Sequence, residues 1–416
     1  MSSTPAEHRP RVVLGVGGGI AAYKACEVLR RLTESGHAVR VVPTEAALRF
    51  VGAATFEALS GQPVATGVFT DVPEVPHVRI GQTADLVVVA PATADLMAKA
   101  AAGMADDLLT GTLLTARCPV LMVPAMHTEM WEHPATQANV ATLRSRGVIV
   151  AEPASGRLTG KDTGKGRLPE PSEIVALATL LLERPDALPR DLTGQRVVIS
   201  AGGTREPLDP VRYLTNRSSG KQGYALARVA AQRGAQVTLV STVTGGILSD
   251  PAGVEVIPAS TADQLREAVL SAAEQADVVV MAAAVADFRP AEFVDHKIKK
   301  TEGSEPQPLE LRRNPDILVE LVKGRRPGQL VVGFAAETGD PGGDVLDHAR
   351  AKLARKGCDL LVVNAVGDGK AFEVEHNQGW LLTADGAEAP IPQGSKARFA
   401  STVWDAILRL SRSDRL

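Results

Sequence analysis

The sequence predicts an α/β protein of two doubly wound, Rossmann-like domains with mostly parallel sheets. Three features lead there. A chain of 416 residues is too long for one ordinary core, so two domains are expected. A strand, a glycine turn, a helix and a second strand open the chain at residue 11, and the same pattern restarts near residue 195. Finally, DLVVVAPATAD (85–95) and DVVVMAAAVAD (277–287) echo one another: Asp, a buried β run, then small residues closed by a second Asp. Both read as a central strand and the crevice at its C-terminal end, where open α/β sheets bind ligands.

In order along the chain, RVVLGV (11–16) is short and β-branched and runs into Gly17-Gly18-Gly19, as a buried strand entering a tight turn does. IAAYKACEVLRRLTESG has helical spacing, with Ile20, Tyr23, Ala25, Val28, Leu29 and Leu32 on one face and Gly36 at its end. HAVRVVPT is the next strand. SGRLTGKDTGKGR (155–167) has no apolar periodicity that would place it on a helix or strand. ERPDALPRDLTG (183–194), rich in proline and charge, reads as a linker, so the domains are expected at 1–183 and 195–416 with 184–194 between them. Beyond it, QRVVIS is a strand, AGG a turn, GYALARVAAQRG a helix and AQVTLVST a strand.

Composition narrows the function. Lys+Arg 45 against Asp+Glu 48, a net charge of −3, argues against a protein that grips nucleic acid, and 3% aromatics leave few platforms for bases. Three widely spaced cysteines without a CxxC argue against a zinc site and a disulfide framework and fit a reducing cytoplasm. The polar start MSSTPAEHRP and the short apolar run 278–286 predict neither a signal peptide nor a membrane span.

GVGGGI fails as a dinucleotide fingerprint, because Ile20 stands where the third glycine belongs and HAVRVV ends in Pro43-Thr44 without an acidic residue. NAD is therefore disfavoured. The turn alone fits a phosphate at a helix N-terminus and tight strand–helix packing equally well. Taken with His77, ADLVVVAPATADLMAKAAAGMADDL and PAMHTEMW, residues 11–180 resemble the FMN-dependent phosphopantothenoylcysteine decarboxylases. The resemblance implies FMN at an interface between subunits of a trimer, its phosphate at Gly17, Gly18, Gly19 and Ile20, with contacts from Thr44 and from Thr93 of PATAD. It implies His77 as the catalytic histidine and Met126 and His127 as substrate contacts. The flavin would oxidise the cysteine CH2–SH to a thioaldehyde, so that loss of CO2 leaves a stabilised enethiolate, and then return the hydride.

Two departures stand out. His127 replaces an asparagine that orients the substrate carboxylate in the family, and imidazole can also donate to a carboxylate. The segment 155–167 matches a flap over the flavin, with Asp162, Gly164, Gly166 and Arg167 kept, but Gly160 and Lys161 replace its Cys-Gly. The stretch reads as a lid whose final protonation falls to Lys161, Lys165 or water. It is not a Walker A loop, since GK[ST] is absent.

In the second half, Ser218-Ser219-Gly220-Lys221 follows a long irregular insert and leads into a helix, as suits a phosphate; a capped helix with a solvated lysine reads equally from spacing. With AAAVADFRP, KIKK, RRNPDI and GFAAET, residues 195–410 resemble the CTP-dependent phosphopantothenate–cysteine ligases. The resemblance implies Asn216 at the acyl-cytidylate and Lys297 as the principal lysine at the nucleotide. Around it come Met281, Ala282 and Ala283 at the cytosine, then Asp287, Pro315, Asp316, Ile317, Leu318, Phe334, Lys352 and Lys356. Mg2+ is expected with the triphosphate, its ligands unassigned.

The combined expectation is a cytoplasmic bifunctional enzyme that turns 4′-phosphopantothenate, cysteine and CTP into 4′-phosphopantetheine. Its expected assembly is a homo-oligomer of decarboxylase trimers joined through ligase dimers. The competing readings are a ligase with a degenerate flavin half and, from another class, a flavin-binding regulatory subunit.

Overall fold

The computed structural model describes residues 9–64, 75–158, 162–299, 308–337, 344–365 and 376–413. Gly160 and Lys161 lie outside them. The chain forms two compact units, residues 1–188 with 251–253, and residues 189–250 with 254–416.

In the first unit, β1 (Arg11–Val16), β2 (Ala38–Pro43), β3 (Leu86–Ala92), β4 (Val120–Pro124) and β5 (Ile149–Val150) form a parallel sheet in the order β2-β1-β3-β4-β5. All of β3 is buried, which is why it reads as a continuous apolar run without alternation. The strand order reverses between β1 and β3, and such a switch point opens a crevice at the C-terminal ends of the strands. The helix Lys24–Glu34 buries Ala25, Val28, Leu29 and Leu32 as expected. Ile20 and Tyr23 were expected on the same face, yet they are 58% and 60% exposed. They belong to a separate 3-10 turn, Ile20–Tyr23, whose tighter winding rotates them off the α-helical stripe.

A second correction concerns residues 155–167, which gave no strand signal. Their described part pairs antiparallel, β6 (Ala154–Arg157) with β7 (Thr163–Arg167), and this pair is called the hairpin below. Its pairing is carried by backbone groups and by Gly156 and Gly166 at φ +141 and +136, so no apolar alternation was available to read.

The second unit contributes β8 (Arg196–Ala201), β9 (Arg205–Pro207), β10 (Tyr213–Thr215), β11 (Gln236–Ser241), β12 (Val254–Pro258), β13 (Val278–Met281), β14 (Phe288–Pro290), β15 (Leu311–Arg313), β16 (Leu330–Glu337), β17 (Leu360–Ala365), β18 (His376–Thr383) and β19 (Glu388–Ser395). Eight of these form one sheet, β12-β11-β8-β13-β16-β17-β18-β19, with parallel pairing as far as β17 and antiparallel pairing of β17 with β18 and of β18 with β19. The insert after β8, expected to be irregular, contains the hairpin β9–β10. Arg233, 1% exposed, ends the helix Lys221–Gln232 and donates to Asp191 at 2.8 and 2.6 Å and to Asp405 at 2.8 Å. It thereby fastens the helix Lys396–Ser413 to the sheet layer.

The echo between 85–95 and 277–287 has a structural counterpart. Asp85 accepts from Arg11 N at 2.7 Å and donates its own N–H to Arg11 O at 2.8 Å. Asp277 does the same with Arg196, at 2.8 Å in both directions.

Candidate functional site

At the β1/β3 switch point lies a cavity of about 870 Å³, within the size range of small-molecule and cofactor pockets. Gly18, Gly19, Ile20, Thr44, Thr93, Met126 and His127 all stand on its wall, as do Arg157, Leu158, Gly166 and Arg167 of the hairpin. The three turn glycines differ in what they do. Gly17 N donates to Pro91 O at 3.0 Å, and a Cβ there would sit 2.6 Å from that oxygen. A Cβ on Gly18 would meet Ala46 Cβ at 2.3 Å. Those two are required by packing. Gly19 is extended, and the nearest atom to its missing Cβ is Thr93 Cγ2 at 3.6 Å, so it leaves backbone open to the cavity. Thr44 and Thr93 are N-caps, accepting from Ala47 N at 3.1 Å and Leu96 N at 3.3 Å, which directs two helix N-termini toward the same wall.

The hairpin is seated on the segment that carries His127. Met126 N donates to Gly166 O at 2.9 Å, and a Cβ on Gly166 would lie 2.4 Å from Met126 O. His127 is the N-cap of the helix Thr128–Glu132 but makes no side-chain cap bond, leaving its ring exposed on the cavity side. Lys165 is turned elsewhere: it pairs with Glu152 at 3.0 Å and lies 5.9 Å from the Trp131 ring centroid. Asp162 is exposed, and its carbonyl accepts from Leu158 N at 2.9 Å. Lys24 and Arg167 share Glu170, at 3.1 and 2.5 Å. Lys24 was not expected from the sequence, although a lysine opening the first helix after a glycine turn was a legible signal.

His77 is not on this wall. It lies in the helix Pro76–Thr83 with its ring against Gly111, its carbonyl accepts from Thr115 Oγ1 at 2.8 Å, and its Nδ1 is buried without a partner among the described residues. None of Cys26, Cys118 and Cys358 lines the cavity either, and burial pushes all three thiols up.

In the second unit, the loops after β8 and β13 are stitched together at another switch point. Ala284 N donates to Gly202 O at 2.8 Å and Ala286 N to Thr204 Oγ1 at 2.9 Å. A crevice of about 140 Å³ there is lined by Ser218 to Lys221, Ala282, Ala283 and Phe334. Met281 is buried at the end of β13. Asn216 donates to Val285 O at 3.1 Å, and Asp287 O accepts from Asn314 N at 2.9 Å, which draws the 314–316 turn alongside. Asp316 caps the helix Ile317–Gly324 and pairs with Lys356, while Pro315 is half-buried beside it. Ile317 and Leu318 put their side chains into the core, so only their backbone can face a ligand. Lys352 lies one turn before Lys356 on the helix Val345–Lys356. Lys297 is exposed on the loop between β14 and β15. The sequence reading missed the crevice's polar floor, where buried Asn377 donates to Gln222 at 3.1 Å and to Asn364 at 3.4 Å, next to Lys396. Asn364, ending the buried run LLVVN, carried a signal; Asn377 and Lys396 did not.

Residues 1–182 match the Flavoprotein family model, and residues 192–410 match the model of the DNA/pantothenate metabolism flavoprotein C-terminal domain. The chain is 67% identical over 410 residues to the coenzyme A biosynthesis bifunctional protein CoaBC of Mycolicibacterium smegmatis, covering 97% of this chain and 99% of that protein. It belongs to the family of bifunctional coenzyme A biosynthesis proteins. It is therefore an enzyme with two activities, a flavoprotein-type decarboxylase followed by a ligase. Identity to CoaBC of Bacillus subtilis is 44% over 405 residues, covering 96% of this chain and 97% of that one. A crystal structure of the C-terminal domain of CoaBC is 36% identical and covers 53% of this chain and 98% of its own, at a TM-score of 0.44. Among the described residues no helix is long and apolar enough to cross a membrane.

Proposed function

We propose that residues 1–183 decarboxylate phosphopantothenoylcysteine with FMN, and that residues 195–416 make that substrate from 4′-phosphopantothenate and cysteine at the expense of CTP. The observation that carries the first assignment is the 870 Å³ cavity, which brings the glycine turn, Thr44, Thr93, His127 and the hairpin to one switch point. Its size, the open backbone at Gly19 and the two helix N-termini suit a flavin with a phosphate tail. Bound there, the flavin would supply a reversible two-electron sink for the thiol-bearing carbon. Gly18, Gly19, Ile20, Thr44 and Thr93 would hold it, with Gly17 buried behind the turn and off the cavity wall. His127 would donate to the substrate carboxylate, and the hairpin would exclude water above it. Because Lys165 is engaged by Glu152 and Trp131, Lys161 or water takes the part of the lid's acid.

The assembly reading is a homo-oligomer in which His77 serves a neighbouring subunit's cavity. In its favour, His77 is off its own chain's cavity wall, and Val75, two residues before it, and Leu114, on the helix Leu108–Thr115 that its ring meets at Gly111, expose 45% and 57% of their surface. In the ligase half, the substrate carboxylate would attack the α-phosphorus of CTP, forming a P–O bond as the bond to pyrophosphate breaks. The cysteine amine would then open the acyl-cytidylate and release CMP. Lys297 and Mg2+ carried by the triphosphate would offset the charge, with Asn216 on the acyl-cytidylate. Asp287, Phe334, Lys352, Lys356 and the 315–318 turn would surround the nucleotide, with Met281 to Ala283 at the base.

The test is single-turnover mass spectrometry on synthetic phosphopantothenoylcysteine with flavin absorbance followed in parallel, beside a Gly160→Cys variant. Full conversion to 4′-phosphopantetheine supports a working decarboxylase whose acid is not a cysteine. Accumulation of the oxidised enethiol product, relieved in the variant, would mean the lid has lost its last step. No loss of CO2 would leave a ligase with an inert flavin half.

A further inference from the structure

The motif LDPVR, inside the stretch that links β9 to β10, has no role in the reading above. We infer that this turn is the mount that positions Lys297 for the ligase reaction, with Asp209 and Arg212 as positioning residues; the inference rests on the nucleotide role of Lys297 proposed above.

Asp209 is fully buried at its side chain, whereas Arg212 is half-exposed. A buried carboxylate has to be met by donors, and this one is met by five. Its Oδ1 accepts from Val211 N and Arg212 N, both at 2.8 Å, which closes the turn locally. Its Oδ2 accepts from Arg212 Nε at 2.9 Å, from Arg212 Nη2 at 2.5 Å and from Ile298 N at 3.2 Å. Arg212 Nη2 also donates to Ile298 O at 2.9 Å. Both polar groups of Ile298 are thus held by one ion pair, across 89 and 86 residues of chain. Val294 N donates to Leu208 O at 3.2 Å, so Lys297 stands between two points of attachment to the same turn.

A purely local turn needs only the Oδ1 contacts. The Oδ2 side reaches outward, and what it reaches is the residue after Lys297. The mount is itself anchored: Arg205 N donates to Ser260 O at 2.9 Å, and Ala262 N donates to buried Glu206 at 2.9 Å. At the other end of the hairpin, Thr215 Oγ1 donates to Thr204 O at 2.7 Å, immediately before Asn216. One short hairpin therefore sets both Asn216 and Lys297 relative to the crevice. Attack of a carboxylate on a phosphate crowds negative charge into a small volume, and a lysine counters it only from the right place. A displacement of about 1 Å is enough to cost roughly 100-fold in rate.

Asp209→Asn is the sharpest variant. Its Oδ1 can still accept from residues 211 and 212, but an NH2 group would face Ile298 N and the guanidinium. Arg212→Lys is the second: it keeps the charge and loses the simultaneous grip on Asp209 and Ile298. Single-turnover pyrophosphate release from CTP and 4′-phosphopantothenate is measured for each variant alone and combined with Lys297→Ala. Thermal unfolding of the ligase half, compared with wild type in the same preparation, reports that the unit carrying the turn is folded. The expected result is a loss of about 10- to 100-fold in pyrophosphate release for either variant, with almost no further loss when Lys297 is already alanine. Wild-type release by both variants would overturn the inference. So would losses that multiply fully with that of Lys297→Ala, because the turn would then act on the fold and not through Lys297. Should Lys297→Ala itself release pyrophosphate normally, the nucleotide role of Lys297 falls, and the inference falls with it.

Discussion

Gly18 and Gly19, compared with each other, separate packing from ligand binding. A Cβ built there would lie 2.3 Å from Ala46 Cβ and 2.9 Å from Ala46 C, and one of those atoms is backbone, so no rotamer change relieves the contact. Restoring ordinary contact requires about 1 Å of movement in the short helix Glu45–Leu48, whose cap Thr44 forms part of the cavity wall. Overpacking of this kind costs about 1–3 kcal/mol. If flavin binds only the undistorted turn, the same strain weakens it about 5- to 150-fold. Gly19→Ala is the matched comparison: its Cβ meets nothing closer than Thr93 Cγ2 at 3.6 Å, in an extended conformation open to any residue. Gly18→Ala should therefore lower both the unfolding temperature of the first unit and the flavin affinity. Gly19→Ala should leave the unfolding temperature unchanged, so any loss of flavin there reports direct contact with the ligand. The assays are thermal unfolding and fluorescence titration of flavin onto stripped protein. A Gly18→Ala protein with wild-type unfolding temperature and wild-type flavin affinity would refute the steric argument.

Three further outcomes are expected. Arg233→Met removes the buried cation that Asp191 and Asp405 share; as both keep about a quarter of their surface in water, the loss should be about 2–3 kcal/mol, read as earlier unfolding of the ligase half with decarboxylation intact. Mixed assemblies of His77→Asn subunits and Ala125→Trp subunits, the latter filled at the cavity wall, should regain decarboxylation that neither has alone; failure to regain it counts against a site shared between subunits. The Arg212 guanidinium, with the backbone N–H groups of Val211, Ile298 and Arg212, holds the Asp209 carboxyl well below the usual carboxylate range. Its stabilising contribution is thus complete above the unfolded pKa of about 3.9 and is lost as pH falls toward the depressed folded value. Urea unfolding between neutral and acid pH should show a steeper acid loss for the wild type than for Asp209→Asn, and parallel curves would count against it.

How far the sequence could be read depended on what holds each element. β1 and β3 are buried on both faces, so hydrophobicity alone marked them, and the turns after β1 and β8 announced themselves by glycine. The hairpin β6–β7 was opaque because, among the described residues, its strands form a two-stranded sheet of their own and carry Gly, Ser, Thr, Lys and Arg, a composition that also describes a loop. The 3-10 turn at Ile20–Tyr23 kept helical spacing in letters and lost it in winding. In the ligase crevice, the linear motifs at 218–221 and 281–287 were legible, whereas Asn377 and Lys396 arrive from strands and helices far along the chain. Their meeting is a property of the eight-stranded order, which no local pattern encodes. The placement of His77 off the cavity was equally invisible, since a motif specifies a residue and not the surface it faces.

The repeated aspartates show how two unlike sites come to be aligned by one device. Asp85 and Asp277 enter β3 and β13, and each exchanges a pair of hydrogen bonds with the residue that opens the neighbouring strand, Arg11 or Arg196. Those neighbours, β1 and β8, are the strands whose C-terminal ends carry the two glycine turns. A slip of one residue between β1 and β3 would shift PATAD by about 3.3 Å against GGGI and turn every side chain of the strand to the opposite face. The same slip between β8 and β13 would carry AAAVAD away from AGGT and unmake the bonds from Ala284 to Gly202 and from Ala286 to Thr204. Each aspartate thus works at the far end of its strand from the chemistry, and sets by register which backbone groups meet in the crevice. Strand order beyond that pair is free to differ, and it does: among the described residues the main sheet has five strands in the first unit and eight in the second. The alignment of each crevice needs only the central pair.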